Sequence, residues 1–327
     1  MDSKKHRILG IPNRYYILLF IILSIVFAYG LGYGPVLPRI QLPYETIHIG
    51  GIAVPNTFIA LIIADVILIL IALGVRRATS TGELVPKGLA GAMEALLEAL
   101  YNLTESTAGR WTKTIFPFFA TITLLVLVVN WTELIPGVDS IGVIEKAEKG
   151  GHAIQAVGPF TTIIKADGEY NLVPFVRVLS TDLNFTVALA LISVTMTQVI
   201  GLRALGPKYL TKFFNVSGLF SRPAFGAIDF GVGLLELISE ISKILSFAFR
   251  LFGNIFAGSV LLFVIGTLVP VFAQSIFLML EFFVGLIQAV VFGMLTMVFM
   301  AQAAAGHGDH EEMSEAQREM PIEEATI

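Results

Sequence analysis

The stretch Gly231–Asn254, GVGLLELISEISKILSFAFRLFGN, is mostly apolar but contains four charged side chains. Glu236, Glu240, Lys243 and Arg250 follow one another at intervals of four, three and seven residues. At the helical repeat of about 3.6 residues, this spacing places all four on one stripe. The sequence therefore predicts an otherwise apolar helix with a single charged face.

The residues that follow this stretch belong in a lipid bilayer. From Leu251 to Gln302 the only charged residue is Glu281. A charge at the bilayer centre costs about 2.5–3.5 kcal/mol, so four charges facing lipid would cost roughly 10 kcal/mol. The stripe must face protein or water, and such residues indicate an ion path. For Glu236 and Glu240 a second interpretation stays open, in which they lie at a helix end in the headgroup region.

The composition is that of an integral membrane protein. Of the 327 residues, 55% are hydrophobic and only 14% charged, and the mean hydropathy is +0.81. A soluble domain would carry about 25% charged residues. The net charge of −4 argues against nucleic-acid binding. The absence of cysteine excludes disulfides, thiolate metal sites and thiol catalysis, and no phosphate-binding GxxxxGK[ST] loop is present. We expect no cofactor, metal site or catalytic site in this chain.

Apolar runs predict an all-α polytopic membrane protein with about six transmembrane helices. The predicted spans are 15–38, 56–75, 114–132, 183–202 and two further helices that turn near 266–270. Basic residues place the loops after 56–75 and after 183–202 in the cytoplasm, and an even number of spans then puts both termini there. The start of the chain lacks the features of a transit peptide, which favours a bacterial plasma membrane.

The chain divides into three predicted parts. Residues 1–55 hold a basic segment, an extra membrane helix or cleaved signal, and a connection. Residues 56–305 form the membrane core, and 306–327 an acidic, disordered cytoplasmic tail. Within the core, 79–113 is an amphipathic cytoplasmic segment. The polar segment 138–181 is external, and is either a partner-binding loop or, as we favour, an insertion without function.

The block SKILSFAFRLFGNIFAG resembles the signature of subunit a of F-type ATP synthases, the membrane stator subunit of the Fo sector. In that family a membrane arginine is followed by Leu-Phe-Gly-Asn, and a lysine lies seven residues before the arginine. Here Arg250 corresponds to the arginine and Lys243 to the lysine. The last helix is also similar, because Glu281 precedes Gln288 by seven residues. Two linked motifs make the resemblance specific, and it covers about 56–302.

The resemblance implies a function in ATP synthesis and proton transport. It implies inlet and outlet half-channels that carry protons to and from the carboxylates of a rotating c-ring, with Arg250 as the charge barrier and Glu236 in the outlet. It further implies that the last two helices are long and tilted against the c-ring. The implied partners are the c-ring, the b or b′ subunits of the stator stalk, and the remaining ATP synthase subunits.

The chemistry of individual residues fits these roles. A guanidinium stays charged and cannot relay a proton, but at 4 Å it attracts a carboxylate by about 4 kcal/mol for an effective dielectric of 20. Glu281 lies about 16 Å of helix beyond the predicted turn, deep enough to act as an inlet relay. Other candidates for the ion path are Gln288, Asn254, Glu240, Lys243 and Ser259, and possible channel-lining residues are Asp65, Asn184 and Gln198.

Two points stay open. The family often has Glu or His where this chain has Ser259, so Ser259 could assist only through its hydroxyl or a water. Asp65, in the middle of a span, could line an access path or be a desolvated neutral acid.

Two rival classes of function remain. One is a self-contained secondary transporter that uses Arg250 and Glu281, and the other is a structural membrane anchor. Neither explains the paired motifs.

Overall fold

The structure is a computed structural model that describes residues 7–8, 11–12, 18–19, 22–23, 26, 45–49, 52–79, 88–135, 138, 141–157, 160–213, 223–268 and 272–305. Long helices account for most of the described chain. They are α1 (Asn56–Thr79), α2 (Leu89–Ala108), α3 (Thr112–Trp131), α4 (Leu183–Leu205), α5 (Pro223–Leu268) and α6 (Phe272–Ala305).

Five helical runs within the described ranges are long and apolar enough to cross a membrane. They are Asn56–Arg77, Ala90–Leu134, Leu183–Lys212, Phe230–Gly266 and Ala273–Ala305. This confirms the all-α polytopic membrane fold. The predicted span 15–38 lies outside the described residues except at five helical positions, and the predicted tail 306–327 lies wholly outside them.

The last two helices are longer than a bilayer is thick. Helix α5 has 46 residues and α6 has 34. At 1.5 Å per residue their lengths are about 69 Å and about 51 Å, against a hydrocarbon core of about 30 Å. The prediction that the last two helices are long is therefore confirmed. Helices of this length must tilt, curve or extend out of the hydrocarbon layer.

Three antiparallel strand pairs accompany the helices. They are β1 (Arg7–Ile8) with β2 (Ile11–Pro12), β3 (Thr46–Ile49) with β4 (Ile52–Pro55), and β5 (Gly142–Val157) with β6 (Phe160–Pro174). The sequence analysis predicts none of these hairpins. The longest pair, β5–β6, occupies most of the predicted external segment and has an irregular register near His152.

The chain forms two compact units. The first comprises Met1–Val66, Leu127–Leu183 and Phe252–Gln288, and the second Ile67–Val126, Asn184–Leu251 and Ala289–Ile327. The core of the second unit consists of apolar side chains from α2, α3, α4 and α6. Its buried members are Leu100, Ile115, Phe119, Ala120, Ile200, Met297, Met300 and Ala304.

A glycine brings α6 close to α3 in the second unit. A Cβ added at Gly293 would collide with Thr123 Oγ1 and press on the Phe119 ring. Small residues let membrane helices approach at the backbone, where packing and not the hydrophobic effect drives association. In the same unit, one face of α2 packs against the core through Leu96, Leu97 and Leu103.

In the first unit, buried polar contacts connect the start of α1 to the chain before α4. Thr57 Oγ1 donates to Asp182 Oδ2 at 3.0 Å, and Asn56 Nδ2 donates to the Pro174 carbonyl at 3.4 Å. All three polar side chains are buried. Because a buried polar group is costly unless it is hydrogen-bonded, these pairs fix the end of the β5–β6 hairpin against α1.

Candidate functional site

Helices α5 and α6 bring together predicted ion-path residues in the first unit. Asn254 Nδ2 donates to Gln288 Oε1 at 2.8 Å. Gln288 and Glu281 are 3% and 6% exposed, so the interval of seven residues puts both on the buried face of α6. The Asn254–Gln288 bond therefore joins the two motifs that the sequence analysis links.

Glu281 lies directly against the backbone of α5. A Cβ added at Gly258 would collide with both carboxylate oxygens of Glu281, so the glycine makes the space that the carboxylate fills. Among the described residues, none hydrogen-bonds to Glu281 Oε2. A buried polar atom without a partner costs free energy unless a proton, a water or another molecule supplies the missing interaction. An intramembrane carboxyl group in this state is a candidate functional residue.

A second carboxylate, Glu133, contacts the next residue of α5. Ser259 Oγ donates to Glu133 Oε1, and it also lies 3.0 Å from the Ile255 carbonyl. Glu133 belongs to the 3₁₀ turn Thr132–Leu134 that follows α3. Gly258 and Ser259 are consecutive, so Glu281 and Glu133 approach neighbouring positions of the same helix. The sequence analysis missed Glu133, although an acidic residue at the very end of an apolar span was a usable signal.

Asn130 fixes the end of α3 to α6. Its Nδ2 donates to the Gly285 carbonyl at 3.2 Å, and its Oδ1 accepts from Ser180 Oγ at 2.7 Å. The neighbouring Trp131 ring stacks on Phe282 with centroids 4.7 Å apart. A Cβ at Gly285 would come within 3.2 Å of the Asn130 Cβ, so the helices are already close. These contacts hold the turn that carries Glu133.

In the second unit, the predicted charged stripe of α5 is a connected network of ion pairs. Lys212 Nζ lies 2.7 Å from Glu236 Oε1 and 3.4 Å from Glu240 Oε1. Lys243 Nζ lies 2.8 Å from the same Glu240 oxygen and 4.7 Å from the centre of the Phe299 ring. The sequence analysis assigns no site role to Lys212. Its contact with α5 could not be read from spacing, because it lies before that helix.

Arg250 differs from the other charges of the stripe. Arg250 as a whole residue is half-buried, and its guanidinium donates to Ser246 Oγ in an exposed contact of 3.5 Å, at the limit of a hydrogen bond. Within the described residues of its unit, no carboxylate forms an ion pair with Arg250. A charge in an apolar helix without a counter-ion is costly, and the described residues of this unit leave the charge of Arg250 uncompensated.

The possible channel-lining residues do not share one environment. Asp65 is exposed on α1 and lies outside the buried cluster around Glu281, and Asn184 is exposed near the start of α4. Gln198 is half-buried, and its Oε1 accepts from the Tyr209 hydroxyl at 2.8 Å. In the described ranges, no three His, Cys, Asp or Glu side chains are grouped so that they could hold a metal ion.

The fold and these clusters define a class of protein, a multi-pass membrane protein with ionisable groups inside its helices. Comparison with known proteins gives the family. Residues 57–301 match the family model described as ATP synthase A chain. This match covers most of the chain, and the chain belongs to that family.

Individual relatives agree with the family match. The chain is 30% identical to ATP synthase subunit a of Campylobacter curvus over 243 residues, which cover 73% of this chain and 87% of the relative. It is 25% identical to ATP synthase subunit a of Moorella thermoacetica over 265 residues, covering 81% and 98%. The resemblance found in the two motifs is confirmed.

Proposed function

We propose that this chain forms the inlet and outlet half-channels that carry protons to and from the carboxylates of a c-ring, and that Arg250 is the charge barrier between them. Family membership supports a role as the proton-transporting membrane component of a multi-subunit ATP synthase. The finer proposal adds the partners, namely the c-ring, the b or b′ stator stalk and the remaining subunits. It also adds a bacterial plasma membrane with both termini in the cytoplasm.

The observation that carries the proposal is the uncompensated charge of Arg250. Within the described residues of its unit it has no carboxylate partner. A carboxylate that arrives on another subunit would supply the missing counter-ion, at about 4 kcal/mol for 4 Å and an effective dielectric of 20. Because the guanidinium stays protonated, it draws the arriving group into its ionised form and cannot itself pass the proton on.

The order of residues along α5 supports two separate paths. Glu236 and Glu240 precede Arg250, and Asn254 and Ser259 follow it. We assign the first pair to the outlet. We assign the residues after Arg250 to the inlet, together with Glu281 and Gln288 of α6. The buried, unpartnered oxygen of Glu281 is suited to take up and give up a proton.

The test is ATP-driven proton uptake into inverted membrane vesicles that contain the whole complex. Losing about 4 kcal/mol of attraction predicts that Arg250→Ala slows uptake roughly a hundredfold or more. Arg250→Lys should also fail, because a desolvated lysine can release its proton. Arg203→Ala, which removes an exposed arginine at the end of α4, is the matched control and should pump normally. Co-purification with the c-ring checks assembly, and undiminished pumping by an assembled Arg250→Ala complex would refute the barrier.

A further inference from the structure

We propose that Lys212 is a positioning residue of the outlet: its ammonium group contacts the carboxylates of Glu236 and Glu240 and sets the pH at which protons pass between the c-ring and the cytoplasm. The inference rests on the proposed function, because it takes these two carboxylates as part of the outlet. It concerns a residue outside α5, and it assigns that residue a role in the pH dependence of transport.

The geometry shows one ammonium group shared by two carboxylates. Glu236 and Glu240 are four residues apart on α5, so they are neighbours on its surface. Lys212 Nζ lies 2.7 Å from an oxygen of Glu236 and 3.4 Å from an oxygen of Glu240. Lys243 Nζ approaches the same Glu240 oxygen at 2.8 Å. Among the described residues, two ammonium groups thus lie within 3.4 Å of oxygens of this carboxylate pair.

The segment that carries Lys212 is built to hold it in place. Lys212 ends the 3₁₀ segment Gly206–Lys212, in which Tyr209 is buried and donates to Gln198 of α4. The ammonium lies 5.9 Å from the centre of the Tyr209 ring and 5.6 Å from that of Phe213. A Cβ added at Gly233 of α5 would collide with the Phe213 carbonyl. Lys212 is therefore fixed against α5, unlike a lysine on a free surface loop.

Removing Lys212 would leave the pair with excess negative charge. Two adjacent carboxylates repel each other, and protonation of one relieves that repulsion. Glu240 is 7% exposed, and none of the described residues hydrogen-bonds to its Oε2, so a retained proton would have an oxygen to occupy. Among the described residues, the ionisable groups near the pair include Lys212 and Tyr209 on the 3₁₀ segment and Lys243 on α5. From α6 the nearby group is the apolar ring of Phe299.

The experiment measures ATP-driven uptake in inverted vesicles of the whole complex while the pH outside, on the cytoplasmic side, is varied. Protons then enter through the proposed outlet. With Lys212→Gln, the carboxylates should bind protons at higher pH, so the pH of half-maximal uptake should rise by about one unit or more. Lys212→Arg should restore the native midpoint. Lys208→Gln, on the same 3₁₀ segment but exposed, is the matched control and should not change it.

A second variant gives the opposite sign. In Glu236→Gln two ammonium groups face one remaining carboxylate, so the midpoint should move to lower pH. This variant decides the matter if the Lys212→Gln complex does not assemble. Native midpoints in the assembled variants would overturn the role of Lys212. The proposed function has a separate test: an unchanged rate of uptake in Arg250→Ala would refute it. That test measures the rate of uptake, whereas the test of Lys212 measures the pH midpoint of uptake.

Discussion

At the scale of single residues, the proposed inlet gains a second carboxylate, Glu133, from the 3₁₀ turn that follows α3. This chain has Ser259 at the position where the family resemblance leads us to expect Glu or His. Here the Ser259 hydroxyl donates to Glu133, which lies in the turn after α3. Glu281 approaches the adjacent Gly258. The chain thus places two carboxyl groups beside one short stretch of α5, although that stretch has none of its own.

We predict that Glu133→Gln assembles normally but pumps protons about tenfold more slowly, since a positioned proton-transfer group commonly contributes a hundredfold or more and Glu281 remains. The amide oxygen of Gln can still accept from Ser259, so the change removes the charge and keeps the contact. Ser259→Ala should cost only a few-fold, because a single neutral hydrogen bond is worth about 1 kcal/mol. The initial rate of ATP-driven uptake in inverted vesicles measures both effects. Native rates in Glu133→Gln would assign Glu133 a purely structural role.

The residues found from sequence and those missed differ for a physical reason. Within one helix, spacing determines which side chains share a face, so Glu281 and Gln288 could be paired in advance. The Asn254–Gln288 bond joins two helices, and the spacing within either helix does not predict it. Only the resemblance, which links the two motifs, relates these helices to each other. Glu133 and Lys212 contact α5 from a turn and a 3₁₀ segment. How such connections fold back depends on long-range packing, which periodicity does not report.

At the scale of elements, the apolar runs predicted the membrane helices, but the sequence analysis did not predict the β5–β6 hairpin. A long uncharged run has few alternatives to a membrane helix, because every backbone group must be satisfied within the segment. The hairpin sequence GVIEKAEKGGHAIQAV has charges and glycines that interrupt any strand alternation. Its Gly158-Pro159 dipeptide, between two short β-rich stretches, was the available turn signal.

We predict that the outer part of this hairpin is dispensable. Among its described side chains, contacts at the base anchor the hairpin: Val173 is buried, and the Pro174 carbonyl accepts from Asn56. Toward the far end, Ile154 and 167–169 are exposed. Deleting 147–169 and joining the paired residues Lys146 and Tyr170 by an Asn-Gly turn should leave assembly and pumping unchanged.

Deleting 142–174 is the matched comparison for this truncation. It also removes the buried base of the hairpin, so the amount of complex that co-purifies with the c-ring should fall. If the shorter deletion already prevents assembly, the outer hairpin binds a partner, which is the alternative that the sequence left open. Quantifying each subunit in the purified complex distinguishes the two results.

At the scale of the whole molecule, the chain has the features of one part of a larger assembly. Large apolar side chains are exposed on both long helices, among them Leu245 and Phe249 of α5 and Phe283 and Ile287 of α6. Lipid or another protein must cover such surfaces. In addition, Arg250 has no carboxylate partner among the described residues of its unit. Both observations favour a mechanism that is completed by another subunit.

We therefore predict that the chain conducts protons only together with a c-ring. Purified alone into liposomes, it should show no proton uptake under a diffusion potential of about 100 mV, which supplies about 2.3 kcal/mol per charge. With a c-ring added, uptake should appear, and a c-ring whose membrane carboxylate is changed to an amide should abolish it. Conduction by the isolated chain at the rate of the pair would contradict a shared path. That result would instead support a self-contained transporter, in which Arg250 and Glu281 serve a substrate and not a rotating partner.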